Sequence, residues 1–227
     1  MFSSYFKTFR SLFNEPRNVI DGFVHGDGER FLHPFKFLMI GLIIILILNT
    51  ALVDFSFEPT AQATAGVDEE NEQLVEIAEW IEVSNVRLST QFLPVSLMLL
   101  FIPMLALGGM IFLRNETDGF YHNLMINSYA VAAAFPVLVI LIPAWILLPA
   151  PLTDPFMNST MPAVLIAGVV IWICNSYLRP NGIMEWIRLI SSYATGYIFY
   201  IIISGFAAGV VGYLFFVVYR IMELSGG

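Results

Sequence analysis

The chain has 227 residues, of which 58% are hydrophobic and only 12% charged, with a mean hydropathy of +0.77 and a net charge of −8. A soluble domain carries about 25% charged residues, so this composition excludes a protein that faces water on all sides. The single cysteine, Cys174, excludes an internal disulfide and any multi-cysteine zinc site.

From the N-terminus, Phe2, Phe6, Phe9 and Phe13 recur at helical spacing beside Lys7 and Arg10. This pattern predicts an amphipathic helix lying in an anionic membrane interface. The segment "NEPR" ends it, and Pro16 can open a second short helix through Val24. Met1 to Pro34 is mixed and charged, without the short apolar core of a cleavable signal. Residues 1–34 therefore read as a cytoplasmic amphipathic segment.

Five apolar runs of spanning length follow: roughly Phe35–Val53, Phe92–Leu113, Leu124–Leu148, Pro162–Leu178 and Tyr193–Tyr219. The expected fold is all-α and polytopic, a five-helix membrane domain over 35–219 with a short extracytoplasmic tail at 220–227. Pro94, Pro103, Pro136 and Pro143 predict kinks in spans two and three. Orientation follows from basic residues, which concentrate on the cytoplasmic side. With the N-terminus inside, that side receives Lys7, Arg10, Arg17, Arg30, Lys36, Arg114, Arg179 and Arg188, leaving Arg87 and Arg220 outside. The expected location is a bacterial inner membrane.

The first outer segment, 54–91, carries Asp54, Glu58, Asp68, Glu69, Glu70, Glu72, Glu76, Glu79 and Glu82. Leu74, Ile77, Ile81, Ser84 and Leu88 form a stripe on the opposite face of a helix beginning near Val67. This acidic helix is expected to feed directly into span two. Its apolar stripe requires a partner.

Between the N-terminal helices and span one lies "GDGERFLHPFKF". A phosphate-cradling loop needs a preceding strand and a following Gly-Lys-Ser/Thr, and neither is present. The stretch reads instead as a turn at Gly26 and Gly28, with Pro34 in the first turn of span one and Arg30 and Lys36 at headgroup level. It also resembles an uncharacterised bacterial family, domain-of-unknown-function family 3667, whose members enter the first span with a pattern like Gly-x-Arg-x-x-Tyr-x-x-Pro-Phe. The matching positions are Gly26, Phe31, Pro34 and Phe35, with Gly28 where the arginine would stand. The likeness continues through "FYHNLMINSY" and the basic turn before the last span. Members often begin with a four-cysteine zinc ribbon, absent here, so any role of that ribbon does not carry over. In span number the family is similar to the Yip group of five-span membrane proteins, which are associated with trafficking; this is an analogy of fold alone.

His25, His33 and His122 all fall on the cytoplasmic side, near Asp27, Glu29, Glu116 and Asp118. No pair shows the four-residue spacing that would set two ligands on one helical face, so no metal and no cofactor is expected. Arg30, His33, His122, Asn127, Tyr129 and Asn175 are the polar candidates. No ionisable group lies deep in a span, which weighs against proton-coupled transport and intramembrane proteolysis. Gly205, Gly209 and Gly212 place small residues on one side of span five and predict close helix packing.

These features predict a non-enzymatic membrane protein that acts by associating with other membrane subunits or with a second copy. Its expected partners are the lipid bilayer and those subunits, with no nucleic acid. An alternative is a small channel or transporter with a polar path near Asn127, Tyr129 and Asn175. A third is an enzyme handling lipid at the cytoplasmic face through His33 and His122.

Overall fold

A computed structural model describes residues 2–26, 30–52, 69–89, 96–146 and 161–226, and every regular element among them is helical. In chain order these are α1 (Phe2–Asn14), α2 (Pro16–Val24), α3 (Pro34–Leu52), α4 (Glu69–Ser89), α5 (Ile102–Phe112), α6 (Phe120–Ile146), α7 (Met161–Leu178) and α8 (Ile183–Gly226). A π-helical turn, Leu97–Phe101, leads into α5. The Ile102 N–H reaches back to the Leu97 carbonyl, opening the helix just before Pro103. The wider turn relieves the clash that a proline ring makes with the carbonyl four residues earlier. Pro136 and Pro143 lie inside a helix that continues past both, whereas Pro94 and the expected join of the acidic helix to span two, at 90–95, lie outside the described residues.

Among the described residues, two helices are long and apolar enough to cross a membrane, within Phe120–Ile140 and Ile183–Met222. Pro34–Ile44, Leu97–Phe112 and Val164–Leu178 are apolar but shorter. The two long helices differ in environment. The α6 window is 72% buried and the α8 window 11% buried, so α6 is the central post and α8 lies at the periphery. Along α6 the run Ala130–Ala134 is wholly buried, and its small side chains let α3, α5 and α7 close in.

Contacts along the helices set their directions. Phe37 meets Tyr129 and Gly41 meets Phe135, so α3 runs parallel to α6. Gly109 lies against Asn123 and His122 against Tyr177, making α5 and α7 antiparallel to α6. Along α8, Tyr200 touches Phe101 and Gly196 touches Leu105, again antiparallel to α5. One end of the bundle therefore gathers α1, α2, the start of α3, the 113–119 turn, the end of α7 and the start of α8.

The last helix differs from the sequence expectation. A break before the fifth span was expected, with a tail after Tyr219, but α8 is one 44-residue helix, about 66 Å long at 1.5 Å per residue. Its distal half packs antiparallel to α4. Arg220 pairs with Glu76 at 2.8 Å, and Trp80 stacks near Phe215 and Tyr219. Ile81 of the expected α4 stripe thus lies against α8 at Gly212, whereas Leu74 remains 63% exposed.

Glycine decides how closely α8 is approached. A Cβ at Gly196 would sit 2.7 Å from the Leu105 Cα, and one at Gly108 would sit 2.9 Å from the Gly196 nitrogen. At Gly212 it would meet the Ile81 Cα at 2.7 Å, while among the described residues nothing lies within 4 Å at Gly205 or Gly209. Contact within the chain therefore uses Gly108, Gly196 and Gly212, and Gly205 and Gly209 are left on an open face.

At the N-terminus, the buried stripe of α1 is Tyr5, Thr8 and Leu12, one position off the phenylalanine series expected from spacing. Phe9 and Phe13 flank it, and Phe6 remains 65% exposed. Polarity does not choose the face here, because Thr8 is satisfied within it: its hydroxyl donates to the Ser4 carbonyl (2.8 Å) and accepts the Leu32 N–H (3.0 Å).

Substituting Gly108 or Gly196 with valine should lower stability by about 1–3 kcal/mol or prevent assembly of the bundle, because overpacking here meets backbone rather than a movable side chain. Gly205→Ala should leave the melting temperature in detergent unchanged or raised. Equal effects at Gly196 and Gly205 would refute this account of the packing.

Candidate functional site

The polar residues of the bundle collect at the end where α1 and α2 dock. Asp21 on α2, Tyr177 near the end of α7, and His122 in the first turn of α6 form a chain. The Tyr177 hydroxyl donates to Asp21 Oδ1 at 2.6 Å, and its oxygen lies 2.6 Å from His122 Nε2. With its one proton committed to Asp21, the phenol can only accept from His122. On the other edge of the ring, Nδ1 accepts the Asp118 N–H at 3.2 Å. Both contacts agree on the neutral Nε2–H tautomer. Asp118 Oδ2 also stands 3.5 Å from Nδ1. Asp118 and His122 are four residues apart and do share a face, correcting the expectation that no pair has that spacing. Among the described residues, no group of three or more His, Cys, Asp or Glu side chains could hold a metal ion.

Arg17 reinforces the same junction. Its Nε donates to the Tyr177 carbonyl at 2.6 Å, and a terminal nitrogen reaches the Leu178 carbonyl at 3.4 Å. These are carbonyls that the last turn of α7 cannot satisfy internally, and a cation is favoured at that negative end of the helix dipole. The chain then turns sharply: Arg179 has φ 51° and donates its N–H to the Asn175 carbonyl at 2.8 Å. Such a left-handed residue is a common helix stop, though usually glycine.

Between α1, α2 and the returning segment at Arg30 and Phe31 lies an open cleft of about 610 Å³. Lys7, Arg17, His25 and Arg30 line it, together with Glu15 and Asp21. The carboxylates are already engaged, Glu15 by the side-chain amide of Asn18 and Asp21 by Tyr177. Among the described residues, no carboxylate pairs with Lys7 or Arg30. Lys7 lies 5.8 Å from the Phe31 ring centre, a cation–π distance.

The sequence candidates are dispersed. Arg30 is exposed in the cleft. His33 is exposed beside it in sequence, edge-on to Phe23 (4.7 Å between ring centres) and stacked on Phe35 (5.6 Å). Packing against these rings, and secondarily the charge of Lys36, holds its imidazole below the ordinary value of 6.5. His122 is buried in the Asp21–Tyr177 chain, where its ring meets Tyr177 and Asp118, whereas His33 packs on Phe23 and Phe35. Tyr129 is buried with its hydroxyl on the Leu32 carbonyl at 2.8 Å, pinning the start of α3. Asn127 donates to the Asn123 carbonyl at 2.8 Å, and Asn123 in turn donates to Thr117 and Gly119. Asn127 borders an internal cavity of about 20 Å³ shared with Ser192 and Cys174, room for about one water. Asn175 is half-buried in α7 and does not border that cavity.

Asp21, Tyr177 and Arg17 were missed as site residues. No local signal marks them, because each partner lies at least 50 positions away in sequence: 55 for His122 to Tyr177, 156 for Tyr177 to Asp21 and 160 for Arg17 to Tyr177.

Residues 4–46 match the model of a family described as "Protein of unknown function (DUF3667)". The match contains Gly26, Phe31, Pro34 and Phe35, and it contains every described residue lining the α1–α2 cleft. The likeness expected at "FYHNLMINSY" and at the last basic turn lies beyond it. No curated protein and no solved structure matches the chain.

Tyr177→Phe removes the donor to Asp21 and the acceptor for the buried His122 N–H. Stability should fall by about 1–3 kcal/mol, the cost of a buried polar group left unsatisfied, read as a lower denaturation midpoint in detergent. No loss would remove Tyr177 from the junction. For His33, the folded midpoint lies below 6.5, so the unfolded chain takes up the proton first. Its effect on stability is therefore flat above pH 6.5, and stability declines as pH falls from 6.5 through the folded midpoint. NMR titration of the His33 ring should give a midpoint below 6.5 that moves upward in Lys36→Gln.

Proposed function

We propose that the chain is a non-enzymatic integral membrane protein, built on five spans, that works by associating with other membrane subunits or with a second copy. The exposed apolar surface of α8 carries this reading. Ile198, Ile201, Ile202, Phe206, Val210 and Leu214 are each more than 40% exposed, on a helix whose most apolar 18-residue window is 11% buried. Water does not tolerate a continuous apolar surface of that length, so lipid or another protein must cover it. Gly205 and Gly209 open onto the same uncovered helix, where small residues let a second helix approach.

The alternating directions of α3, α5, α6, α7 and α8 support five crossings. Lys7, Arg10, Arg17, Arg30, Lys36, Arg114, Arg179 and Arg188 all belong to the end that carries α1 and α2 or to the turns there, which supports a cytoplasmic N-terminus. The far end carries Arg220, paired with Glu76, and the acidic α4. In a bacterium this would be the inner membrane. A conduit past Asn127, Tyr129 and Asn175 has less support, because Asn127 and Tyr129 are buried in packed core and the cavity beside Asn127 has room for about one water. A lipid-handling enzyme using His33 and His122 together has less still, since the two rings have different partners.

Two measurements test the reading. In a Cys174→Ser background, Ser225→Cys should react with an impermeant maleimide in intact cells, and Ser3→Cys only after permeabilisation; reaction of both from one side would overturn the five-span arrangement. Purified in mild detergent, the protein should migrate as an oligomer or with a membrane partner, and a strictly monomeric, partner-free particle would overturn the association.

A further inference from the structure

We propose that the α1–α2 cleft is a binding site for the phosphate group of an anionic ligand, with Lys7 and Arg30 as the groups that contact it. The site stands on observations separate from those behind association, and rests on the membrane reading only where the ligand is taken to be a lipid.

Among the described residues, four cation-capable side chains and two carboxylates line the cleft, but the groups differ in what they have left to offer. Asp21 accepts a hydrogen bond from the Tyr177 hydroxyl and Glu15 one from the Asn18 amide, and neither carboxylate pairs with Lys7 or Arg30. Arg17 spends its Nε on the end of α7 and is held rigidly there, contributing a fixed positive charge rather than a mobile contact. Lys7, from α1, and Arg30, from the segment returning to α3, have no carboxylate partner among the described residues. Their charges face one concavity from two separate parts of the chain. An anion between them gains charge-assisted hydrogen bonds without breaking an existing ion pair.

Size narrows the ligand. About 610 Å³ exceeds what one inorganic ion fills and falls in the range of sites that enclose a small organic molecule. A phosphate ester with a polar body satisfies both the charge and the volume. Ser11 and Asn18, which also line the cleft, supply hydroxyl and amide groups for that body. Such a group occurs on a lipid headgroup and on a soluble phosphate ester. The exposed Phe6 on α1 and the docking of the cleft at the basic end place the headgroup of an anionic lipid within reach in the bilayer arrangement proposed above.

The full chain, purified in a zwitterionic detergent, is titrated with short-chain phosphatidic acid, short-chain phosphatidylcholine, glycerol 3-phosphate and inorganic phosphate, with binding read by calorimetry and by shifts of the His25 ring signals. Saturable binding of phosphatidic acid that exceeds glycerol 3-phosphate assigns the lipid source. Equal binding of the two assigns a soluble ester, and both results support the site. Lys7→Gln combined with Arg30→Gln should weaken binding at least about tenfold, whereas Arg10→Gln, on α1 but outside the cleft, should leave it unchanged. Circular dichroism melts of each variant separate loss of binding from loss of fold. Phosphatidylcholine binding as tightly as phosphatidic acid, absence of saturable binding, or a folded double variant with undiminished affinity would each overturn the proposal.

Discussion

The burial of α6 is the constraint on which the arrangement of this chain depends. An apolar helix surrounded by other helices needs small side chains where neighbours come closest, and Ala130 to Ala134 provide them at mid-helix. Phe135 then fills the space against Gly41 of α3, and Tyr129 ties the start of α3 through the Leu32 carbonyl. Around α6, α5 and α7 run antiparallel to it. The longest helix, α8, is pushed to the outside, where it is held by glycine contacts on one side and exposes its apolar residues on the other.

Polarity is distributed to suit that packing. Buried hydroxyls and amides mostly return to a carbonyl four residues earlier, as Thr117, Asn127 and Ser128 do, so α6 and the turn before it satisfy most of their own polar groups locally. Ser96 with Tyr200 and Arg220 with Glu76 are long-range exceptions elsewhere, and a further group lies at the α1–α2 end. There Tyr177 and Arg17 join α2 to the end of α7, Thr8 ties α1 to the segment before α3, and His122 links α6 to α7 through Tyr177. A tertiary contact of this kind is specific in a way that apolar burial is not, because the donor and acceptor must both be placed correctly. The cleft owes its shape to these bonds: α2 is anchored by Arg17 and Asp21, α1 by Thr8, and the space between them stays open.

Helix type and most helix bounds were legible from the sequence because apolar runs and 3.6-residue spacing act locally. The first, third and fourth expected spans differ from α3, α6 and α7 by a few residues at each end. The amphipathic nature of α1 was legible too, but not its buried face. Phenylalanine spacing favoured one stripe, whereas docking chose Tyr5, Thr8 and Leu12, since a threonine with two partners costs little to bury. The length of α8 was misread for a related reason. Gly182 and the residues around Arg188 resemble a turn leading to a later start, yet nothing between Ile183 and Tyr193 stops a helix once begun, and Glu185 accepts the Asn181 N–H at its first turn.

By itself, the sequence determined the apolar class, the helical periods, the grouping of cations toward one end and the acidity of the opposite arm, because each depends on residue type and near-neighbour spacing. Tertiary structure alone decided which glycines touch a neighbouring helix, that the acidic helix lies along α8, that His122 is neutral-tautomer partner to a tyrosine 55 residues away, and that Lys7 and Arg30 face one cleft. These are matters of distance between segments remote in the chain, and no local pattern of side chains encodes a distance that only packing sets.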